Sequence, residues 1–305
     1  MRGLTALLIA AAAVAAVGCQ ESGFDEARET SRPLKVQHAL GEAKVPGQAK
    51  RPVTLTVDAL DDSLALGVRP VRAAVPGGRV PAYLDQRAPG VAVVDSVTAS
   101  DVGALKPADP DVILGSASGQ GRLYDNLREV APTVLSDGGS VAWKLTARLY
   151  GEALGRTNDA ERLLIDYDRG AARLRDRLGP RRAQTEVSVV RVGRRAVWIA
   201  GEQSFSGSVI GDVGLSQPPA QSGRREYERV GWNRLAALDG DVMLLSVAAG
   251  GERQLRQLRT RPGWGDLGAV RAGRVVRVDD GVWWSGGGFL AARAAQRDLE
   301  RAASA

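Results

Sequence analysis

The chain has 305 residues and a formal net charge of +6, with 41 lysine and arginine residues against 35 aspartate and glutamate residues. It contains one cysteine and one histidine, which excludes a disulfide framework and argues against a transition-metal site built from protein ligands. Basic charge can attract nucleic acid, anionic lipid or an anionic small ligand. The arginines are scattered without the interleaved aromatic residues of a single-strand binder, so we expect no nucleic-acid partner.

The N-terminus has the pattern of an export signal. Arg2 precedes an apolar run at residues 4–17, which is too short for a stable transmembrane helix. Ala16-Val17-Gly18-Cys19 resembles the lipobox of bacterial lipoproteins, although that motif usually has leucine where Ala16 stands. An ordinary signal peptide followed by a free or packed cysteine is the alternative. We expect a signal peptide at 1–18, lipidation of Cys19, and a protein held by its lipid at the outer face of the bacterial cytoplasmic membrane.

The residues that follow Cys19 are polar. The stretch QESGFDEARETSRPLK at 20–35 has no apolar period, so we predict a lipidated, flexible tether over residues 19–44. No later apolar run in the sequence is long enough to cross a bilayer.

Short β-branched runs recur beyond the tether and are bounded by Gly, Pro or Asp. Several are apolar on both faces, as buried parallel strands are, and they predict strands at 53–57, 91–95, 111–115, 187–192, 241–247 and 274–278. The segments between them predict helices at 60–66, 123–129, 142–154 and 230–238. This alternation predicts an α/β fold.

One long helix is predicted near the middle of the chain. From residue 158 to residue 178, apolar residues recur at helical spacing, while Asp and Arg fill the other face. Asn158 with Glu161 three residues later resembles a capping box, and Gly179-Pro180 predicts the end of the helix. At about 1.5 Å per residue the helix would extend about 30 Å, the width of a small domain. We interpret it as a rigid connector.

The sequence lacks the motifs of common catalysts. GSASG at 115 and FSGSVIG at 205 do not fit the G-x-S-x-G nucleophile elbow, and the single histidine, His38, lies close to the polar stretch at 20–35. There is no Walker loop, and GQGRLY at 119 lacks the third glycine of the dinucleotide fingerprint. WWSGGG at 283 predicts a turn or a close backbone approach. These observations indicate a binding protein and not an enzyme.

Four segments carry a family pattern. They are VPGQAKRPVTLTVDALDDSLALGVRPV at 45, PDVILG through LYDNLREVAPTV, WK and GEALGR between 110 and 156, VSVVRV with SFSGSVIGDVGLSQP from 187, and RPGWGDLGAVRAGRVVRVDDGVWWSGGG at 261. In this order they resemble the solute-binding lipoproteins of bacterial ABC importers for iron–siderophore complexes. The resemblance implies two Rossmann-like α/β lobes with mostly parallel sheets. It places the N-terminal lobe at 45–156, the connecting helix at 157–180 and the C-terminal lobe at 181–305.

The resemblance also implies a function. A ferric siderophore is captured in the cleft between the lobes and delivered to a membrane permease with its ATPase subunits, by a monomeric binding protein. The chelator's own oxygens fill the iron shell, so the protein needs no cofactor or metal ligands. Arginine forks and aromatic rings suit an anionic organic complex. The alternatives are the same fold binding haem or a corrinoid, and an envelope interaction protein that no longer docks on a permease.

Candidate ligand contacts follow from positions that match the family. Arg191 ends an apolar run, and an arginine at the carboxyl end of a buried strand has few structural reasons to exist. Trp143 can instead be a helix-start residue packed in the core, Arg72 a surface ion pair, and Arg253 part of a solvated helix face. The full set of candidates is Arg72, Tyr83, Trp143, Lys144, Arg191, Phe205, Arg253 and Trp284.

Docking on the permease is the point at which the sequence departs from the family. Family members usually carry a glutamate on the top of each lobe. In the second lobe Asn233 stands in the place of that carboxylate, and in the first lobe Asp101 is the stand-in. Because asparagine carries no charge, the protein either uses another contact or has left transport.

Overall fold

The computed structural model describes residues 32–223 and 225–303. Within them the chain forms two α/β lobes, each built on a five-stranded sheet, with one long helix between the lobes. The predicted signal peptide and Cys19 lie outside the described residues. None of the described helices combines the length and the apolar character that a bilayer span requires.

An antiparallel hairpin precedes the first lobe and corrects the predicted tether. Strand β1 (Leu34–His38) pairs with β2 (Gly41–Val45), and Val36 and Val45 are buried in the core. The tether predicted to extend through residue 44 is therefore wrong from residue 34 onward. A strand with one buried face needs only alternate apolar residues, and here the intervening polar residues dominate the composition.

The first-lobe sheet is entirely parallel. Its strands are β3 (Pro52–Thr54), β4 (Arg72–Ala74), β5 (Ala92–Val94), β6 (Val112–Ser116) and β7 (Thr133–Ser136). They lie in the order β5-β4-β3-β6-β7, so the direction of strand addition reverses between β3 and β6. The strands predicted at 91–95 and 111–115 are confirmed. The strand predicted at 53–57 ends at Thr54, because Thr56 caps the next helix by accepting a backbone N–H.

The first-lobe helices cover the faces of this sheet. They are α1 (Val57–Ala65), α2 (Ala117–Gln120), α3 (Tyr124–Arg128) and α4 (Trp143–Ala153), with short 3-10 helices at Ala82–Arg87 and Val102–Ala108. The helices predicted at 60–66, 123–129 and 142–154 are confirmed, with boundaries shifted by a few residues.

The predicted connector is helix α5 (Thr157–Leu178). Its apolar stripe is buried, and Gly179 ends it with a φ of 66°, a backbone conformation that glycine adopts without strain. The predicted capping box is wrong, because Asn158 lies inside the helix and no side chain caps its first turn. Glu161 instead pairs with Arg148 on α4, with 2.6 Å between Nε and Oε1.

The second-lobe sheet is mixed. Its strands are β8 (Val187–Val192), β9 (Val197–Ala200), β10 (Tyr227–Val230), β11 (Val242–Val247) and β12 (Val275–Arg277), in the order β10-β9-β8-β11-β12. The strands β8, β11 and β12 are parallel, and β9 runs antiparallel to β8 and β10. The helix predicted at 230–238 is wrong at its start, because the extended Gly231 separates β10 from a 3-10 helix at Trp232–Leu238.

The remaining helices are α6 (Phe205–Asp212), α7 (Glu252–Arg259), α8 (Gly268–Arg271) and α9 (Phe289–Ala303). Helices α4, α5, α6 and α9 meet around Trp143, whose ring contacts Tyr167, Phe205 and Phe289 edge-on at 4.9, 5.9 and 6.1 Å between centroids. Edge-to-face aromatic pairs add to the free energy of burial. One apolar core therefore continues through the connector from the first lobe to the second.

A polar contact also joins the lobes. Asp61 on α1 accepts the N–H groups of Leu290 and Ala291 at 2.7 and 2.9 Å, and Asp62 accepts that of Phe289 at 3.0 Å. Two first-lobe carboxylates thus cap the N-terminus of the second-lobe helix α9, where free N–H groups and the helix dipole favour negative charge.

Candidate functional site

A cleft of about 480 Å³ lies between the lobes, within the usual range for small-molecule sites. Its first-lobe wall is the carboxyl edge of β3, β6 and β7, and its second-lobe wall is Tyr227 with residues 284–287. In open α/β sheets, ligands bind where the strand order reverses, which here is between β3 and β6. Another cavity, of about 570 Å³, lies beside Ile199 and Arg234 within the second lobe. We favour the inter-lobe cleft because both lobes build it at a switch point.

The first-lobe wall presents uncharged polar groups. Thr56 and Ser116 begin helices, and their hydroxyls accept backbone N–H groups at 3.4 and 3.2 Å. A hydroxyl that accepts in this way can still donate its own proton. The wall can therefore donate hydrogen bonds to an oxygen-rich ligand through a set that comprises Thr56, Ser116, Gln120, Ser136 and Thr146.

The second-lobe wall is an aromatic plate followed by glycines. The rings of Trp284 and Tyr227 stack with 4.9 Å between centroids and 29° between planes. A Cβ on Gly287 would lie 3.1 Å from the Cβ of Asp58, so a side chain there would press on the first lobe. The close backbone approach predicted for WWSGGG is confirmed.

Arg191 lies behind this plate and is not among the residues that line the cleft. Its Nε and Nη2 donate to the two carboxylate oxygens of Asp280 at 2.8 and 2.7 Å, and Ser246 donates to the same carboxylate at 3.0 Å. Its Cζ lies 5.5 Å from the ring centroid of Trp284. Asp280 neutralises the arginine, and the pair positions Trp284 from behind.

Lys144 also points away from the cleft. Its Nζ lies 2.9 Å from Asp168 Oδ1 on α5 and 3.0 Å from Asp212 Oδ2 on α6, and 4.9 Å from the ring centroid of Tyr167. The side chain is 29% exposed. This lysine joins the first lobe to the connector and to the second lobe, and its predicted ligand contact stays a prediction.

We expect Lys144→Met to lower the free energy of unfolding by about 1 kcal/mol, because a half-exposed ion pair with two partners is lost while the aliphatic stem is kept. Ligand affinity should change less than about two-fold. Urea denaturation and a binding titration test this, with Lys35→Met, at a more exposed pair, as the control. A tenfold loss of affinity at unchanged stability would support the ligand-contact assignment.

The other candidates divide between core and surface. Trp143 is buried in the core, and it also lines the cleft; its ligand contact stays a prediction. Phe205 is buried in the core beneath it. Arg72 begins β4, and its Nη1 donates to the Ala104 carbonyl at 3.2 Å, away from the carboxyl edge. Arg253 is exposed on α7 and does not line the cleft. Tyr83 lines a separate cavity of about 520 Å³.

The two docking candidates lie at equivalent places in the lobes. Asp101 precedes the 3-10 helix that follows β5, and Asn233 lies in the 3-10 helix that follows β10; β5 and β10 are the outermost strands of their sheets. Both residues are exposed. Hydrogen bonds from Thr98 lower the pKa of Asp101, which therefore stays ionised. Beside Asn233, the exposed ring of Trp232 lies 4.6 Å from the guanidinium of Arg261.

Sequence analysis missed most of the cleft wall. Ser116 and Ser136 are the last residues of β6 and β7, and Thr56 follows β3. Hydroxyl residues at the carboxyl ends of neighbouring parallel strands are the signal that could have found them. Tyr227 begins an antiparallel strand inside a charged segment, and no local pattern marks it.

Three neighbouring carboxylates lie on α1. Asp61 and Asp62 are buried, whereas Asp58 is half-buried and lines the cleft. Burial raises the pKa of Asp58 and of Asp62, and it raises the pKa of Asp61 to about 7. Mutual repulsion within the cluster adds to the increase, whereas the N–H groups of α9 oppose it. Burial and the same charges raise the pKa of Tyr83.

We expect the protein to become less stable as pH rises from about 4 to about 7, because folded Asp61 holds a proton there that the unfolded chain has released. The full shift of about three pKa units corresponds to about 4 kcal/mol, at about 1.4 kcal/mol per unit, and roughly 3 kcal/mol of it falls between pH 5 and pH 8. Burial lowers the pKa of His38, so this residue opposes the loss of stability as pH rises. Urea denaturation at pH 5 and pH 8 measures the change. Asp62→Asn keeps the Oδ1 acceptor and removes one charge, so the stability of this variant should depend less on pH. A urea midpoint of the wild type that rises with pH would contradict this account.

Known proteins resemble the whole chain. YfiY of Bacillus subtilis (strain 168), described as a probable siderophore-binding lipoprotein, is 29% identical over 97% of this chain and 96% of its own length. The achromobactin-binding periplasmic protein of Dickeya dadantii (strain 3937) is 26% identical over 83% of this chain and 86% of its own.

Solved structures share the fold. Staphylococcus aureus SirA complexed with staphyloferrin B has a TM-score of 0.78 at 22% identity, covering 89% of this chain and 98% of that one. Bacillus subtilis FeuA complexed with ferri-bacillibactin has a TM-score of 0.74 at 20% identity, covering 89% and 100%. A family model described as periplasmic binding protein matches residues 53–281, and the chain therefore belongs to the periplasmic binding protein family.

Proposed function

We propose that this protein is the substrate-binding lipoprotein of an ABC importer, which captures a ferric siderophore between its lobes and hands it to a membrane permease. The observation that carries the proposal is the cleft itself, with an aromatic plate opposite a wall of uncharged donors at a topological switch point. The siderophore-binding relatives and the fold shared with siderophore complexes support it.

The proposed mechanism is reversible binding without a chemical step. Within residues 32–223 and 225–303, no group of three or more His, Cys, Asp or Glu side chains is placed to hold a metal ion. The iron in this proposal is cargo, and its shell is filled by chelator oxygens. Hydroxyl and amide groups would bind the periphery of the complex, and the plate would pack on its apolar surface. The continuous core and the α9 cap favour a frame that closes little on binding.

The proposed location and partners follow from the N-terminus and the lobe tops. Acylated Cys19 would anchor a monomer in the cell envelope, and Asp101 and Asn233 would face the permease, whose ATPase subunits complete the importer. Labelling of growing cells with an alkyne fatty acid tests the anchor. Cys19→Ser should abolish labelling and release the protein from membranes. Labelling that persists in the variant would contradict anchoring at this cysteine.

The test of the function is tryptophan fluorescence of the full chain in mild detergent, titrated with ferric siderophores, their iron-free forms, haem and cobalamin. We expect saturable quenching by a ferric siderophore, weaker binding of its iron-free form, and no saturation by haem or cobalamin. Saturation by haem or cobalamin alone would support those ligands instead. No response to any compound would leave the envelope interaction protein as the better account.

A further inference from the structure

We infer that the cleft is built for a ferric siderophore of neutral or positive charge, of the hydroxamate class, and not for an anionic catecholate or carboxylate complex. This inference rests on the proposed function and concerns the same cleft. Its basis is the charge of the wall, which differs from the arginine-rich cleft that the sequence predicts.

The described wall of the cleft contains no arginine or lysine. Its polar side chains are hydroxyls and one amide, with Asp58 as its ionisable carboxyl group. A second carboxylate, Glu226, accepts a hydrogen bond from Ser140 at the margin of the cleft. The field of Glu226 also contributes, after burial, to raising the pKa of Tyr227 to about 12. Because the pKa of Asp58 is raised by burial, the formal charge at the margin of the cleft is that of Glu226, and it is negative.

Four basic residues around the cleft are neutralised by partners. Asp280 holds Arg191 through a bidentate pair, and Asp168 and Asp212 hold Lys144. Arg225 lies 3.7 Å from Glu228, whose other oxygen pairs with Arg234. A paired guanidinium offers little net charge to a third group. Arg224 is outside the described residues, so the experiment includes an Arg224→Ala variant.

Charge separates the chelate classes. A hydroxamate arm brings one negative charge and a catecholate arm two, so a ferric trishydroxamate is neutral while a ferric tris-catecholate is a polyanion. Like charges repel each other more strongly where water screens them less. A polyanion placed beside Glu226 meets this repulsion without a compensating cation in the described wall. A neutral or cationic complex does not.

The donors of the wall match the hydroxamate class. Hydroxamate oxygens are acceptors of modest charge, for which hydroxyl and amide donors are adequate partners. The indole N–H groups of Trp143 and Trp284 are also buried, with no acceptor among the described residues. A buried donor without an acceptor destabilises the protein, so a ligand oxygen that accepted a hydrogen bond from either indole would gain affinity.

The experiment titrates the full chain with ferrioxamine B, ferrichrome, ferric enterobactin and ferric citrate. We expect both hydroxamate complexes to bind at least about 30-fold more tightly than the two anionic ones, about 2 kcal/mol. Glu226→Gln should tighten the anionic complexes several-fold and leave ferrichrome unchanged. Glu129→Gln, at an exposed position away from the cleft, should change neither. Arg224→Ala should leave the preference intact.

Each contrary outcome has a distinct meaning. Equal or tighter binding of ferric enterobactin or ferric citrate would overturn the class inference and leave the proposed function standing. The charge argument would be overturned if the affinity ratio between hydroxamate and anionic complexes were unchanged in Glu226→Gln. It would also be overturned if Arg224→Ala lost the preference for hydroxamate complexes. No saturable binding by any ferric complex would overturn the proposed function itself, and the class inference with it.

Discussion

Asp61→Ala should lower the free energy of unfolding by about 3 kcal/mol. The substitution leaves the N–H groups of Leu290 and Ala291 without their acceptor at a buried helix start. Hydrogen bonds contribute about 0.5–1.5 kcal/mol each to a neutral acceptor and about 1.5–3 kcal/mol each to a charged one, and unsatisfied buried donors carry their full desolvation cost. Relief of repulsion from Asp58 and Asp62 offsets part of this loss. Urea denaturation at pH 7 measures the change.

The matched control is Asp125→Ala, which removes an exposed carboxylate from its 3.0 Å pair with Arg128. Such a pair contributes about 0–1 kcal/mol, so this variant should unfold close to the wild type. An exposed pair changes the free energy of unfolding by at most about 1 kcal/mol. If Asp61→Ala also stayed within about 0.5 kcal/mol of the wild type, the hydrogen bonds of Asp61 to α9 would not be holding the lobes together.

Trp284→Ala should weaken binding of the ferric siderophore about 100-fold, close to 3 kcal/mol. The ring is one half of the aromatic plate, and large aromatic anchors dominate binding energies when they lie in desolvated pockets. Tyr227 would also lose its stacking partner and part of its fixed orientation. Isothermal titration calorimetry is the appropriate measurement, because the substitution removes one of the fluorophores.

The matched control is Trp232→Ala, which removes a tryptophan that is 37% exposed and packed against Arg261 outside the cleft. Its binding should stay within about two-fold of wild type, a difference below 0.5 kcal/mol. Both variants should show the circular dichroism of the folded protein. If the two variants lost equal affinity, or if Trp284→Ala lost none, the aromatic plate would not be part of the binding site.

The architecture could be predicted because it rests on local patterns. Apolar runs that form buried strands, the long amphipathic stripe of α5 and the Gly179 stop are all properties of neighbouring residues. The elements that were missed depend on contacts between residues that are distant in sequence or on a pattern with only alternate buried residues. The β1–β2 hairpin buries only alternate residues, and the α5 capping box was lost because Glu161 pairs with Arg148 across two helices.

The site was harder to predict because its charges depend on tertiary partners. Arg191 and Lys144 lie near the cleft as expected, yet Asp280, Asp168 and Asp212 neutralise them, and none of those partners is adjacent in sequence. Trp143 and Trp284 do line the cleft. The positions of these two tryptophans could be predicted better than those of the arginines, because a large ring at the edge of the core can be packed in few orientations.

The central claim is that iron is carried between the two lobes. Anomalous diffraction at the iron edge, from crystals of the protein with a bound ferric siderophore, locates the metal directly. This account predicts one iron peak in the inter-lobe cleft, facing the rings of Trp284 and Tyr227 across from Ser116 and Ser140. An iron peak elsewhere, for example in the second-lobe cavity beside Ile199 and Arg234, would contradict it.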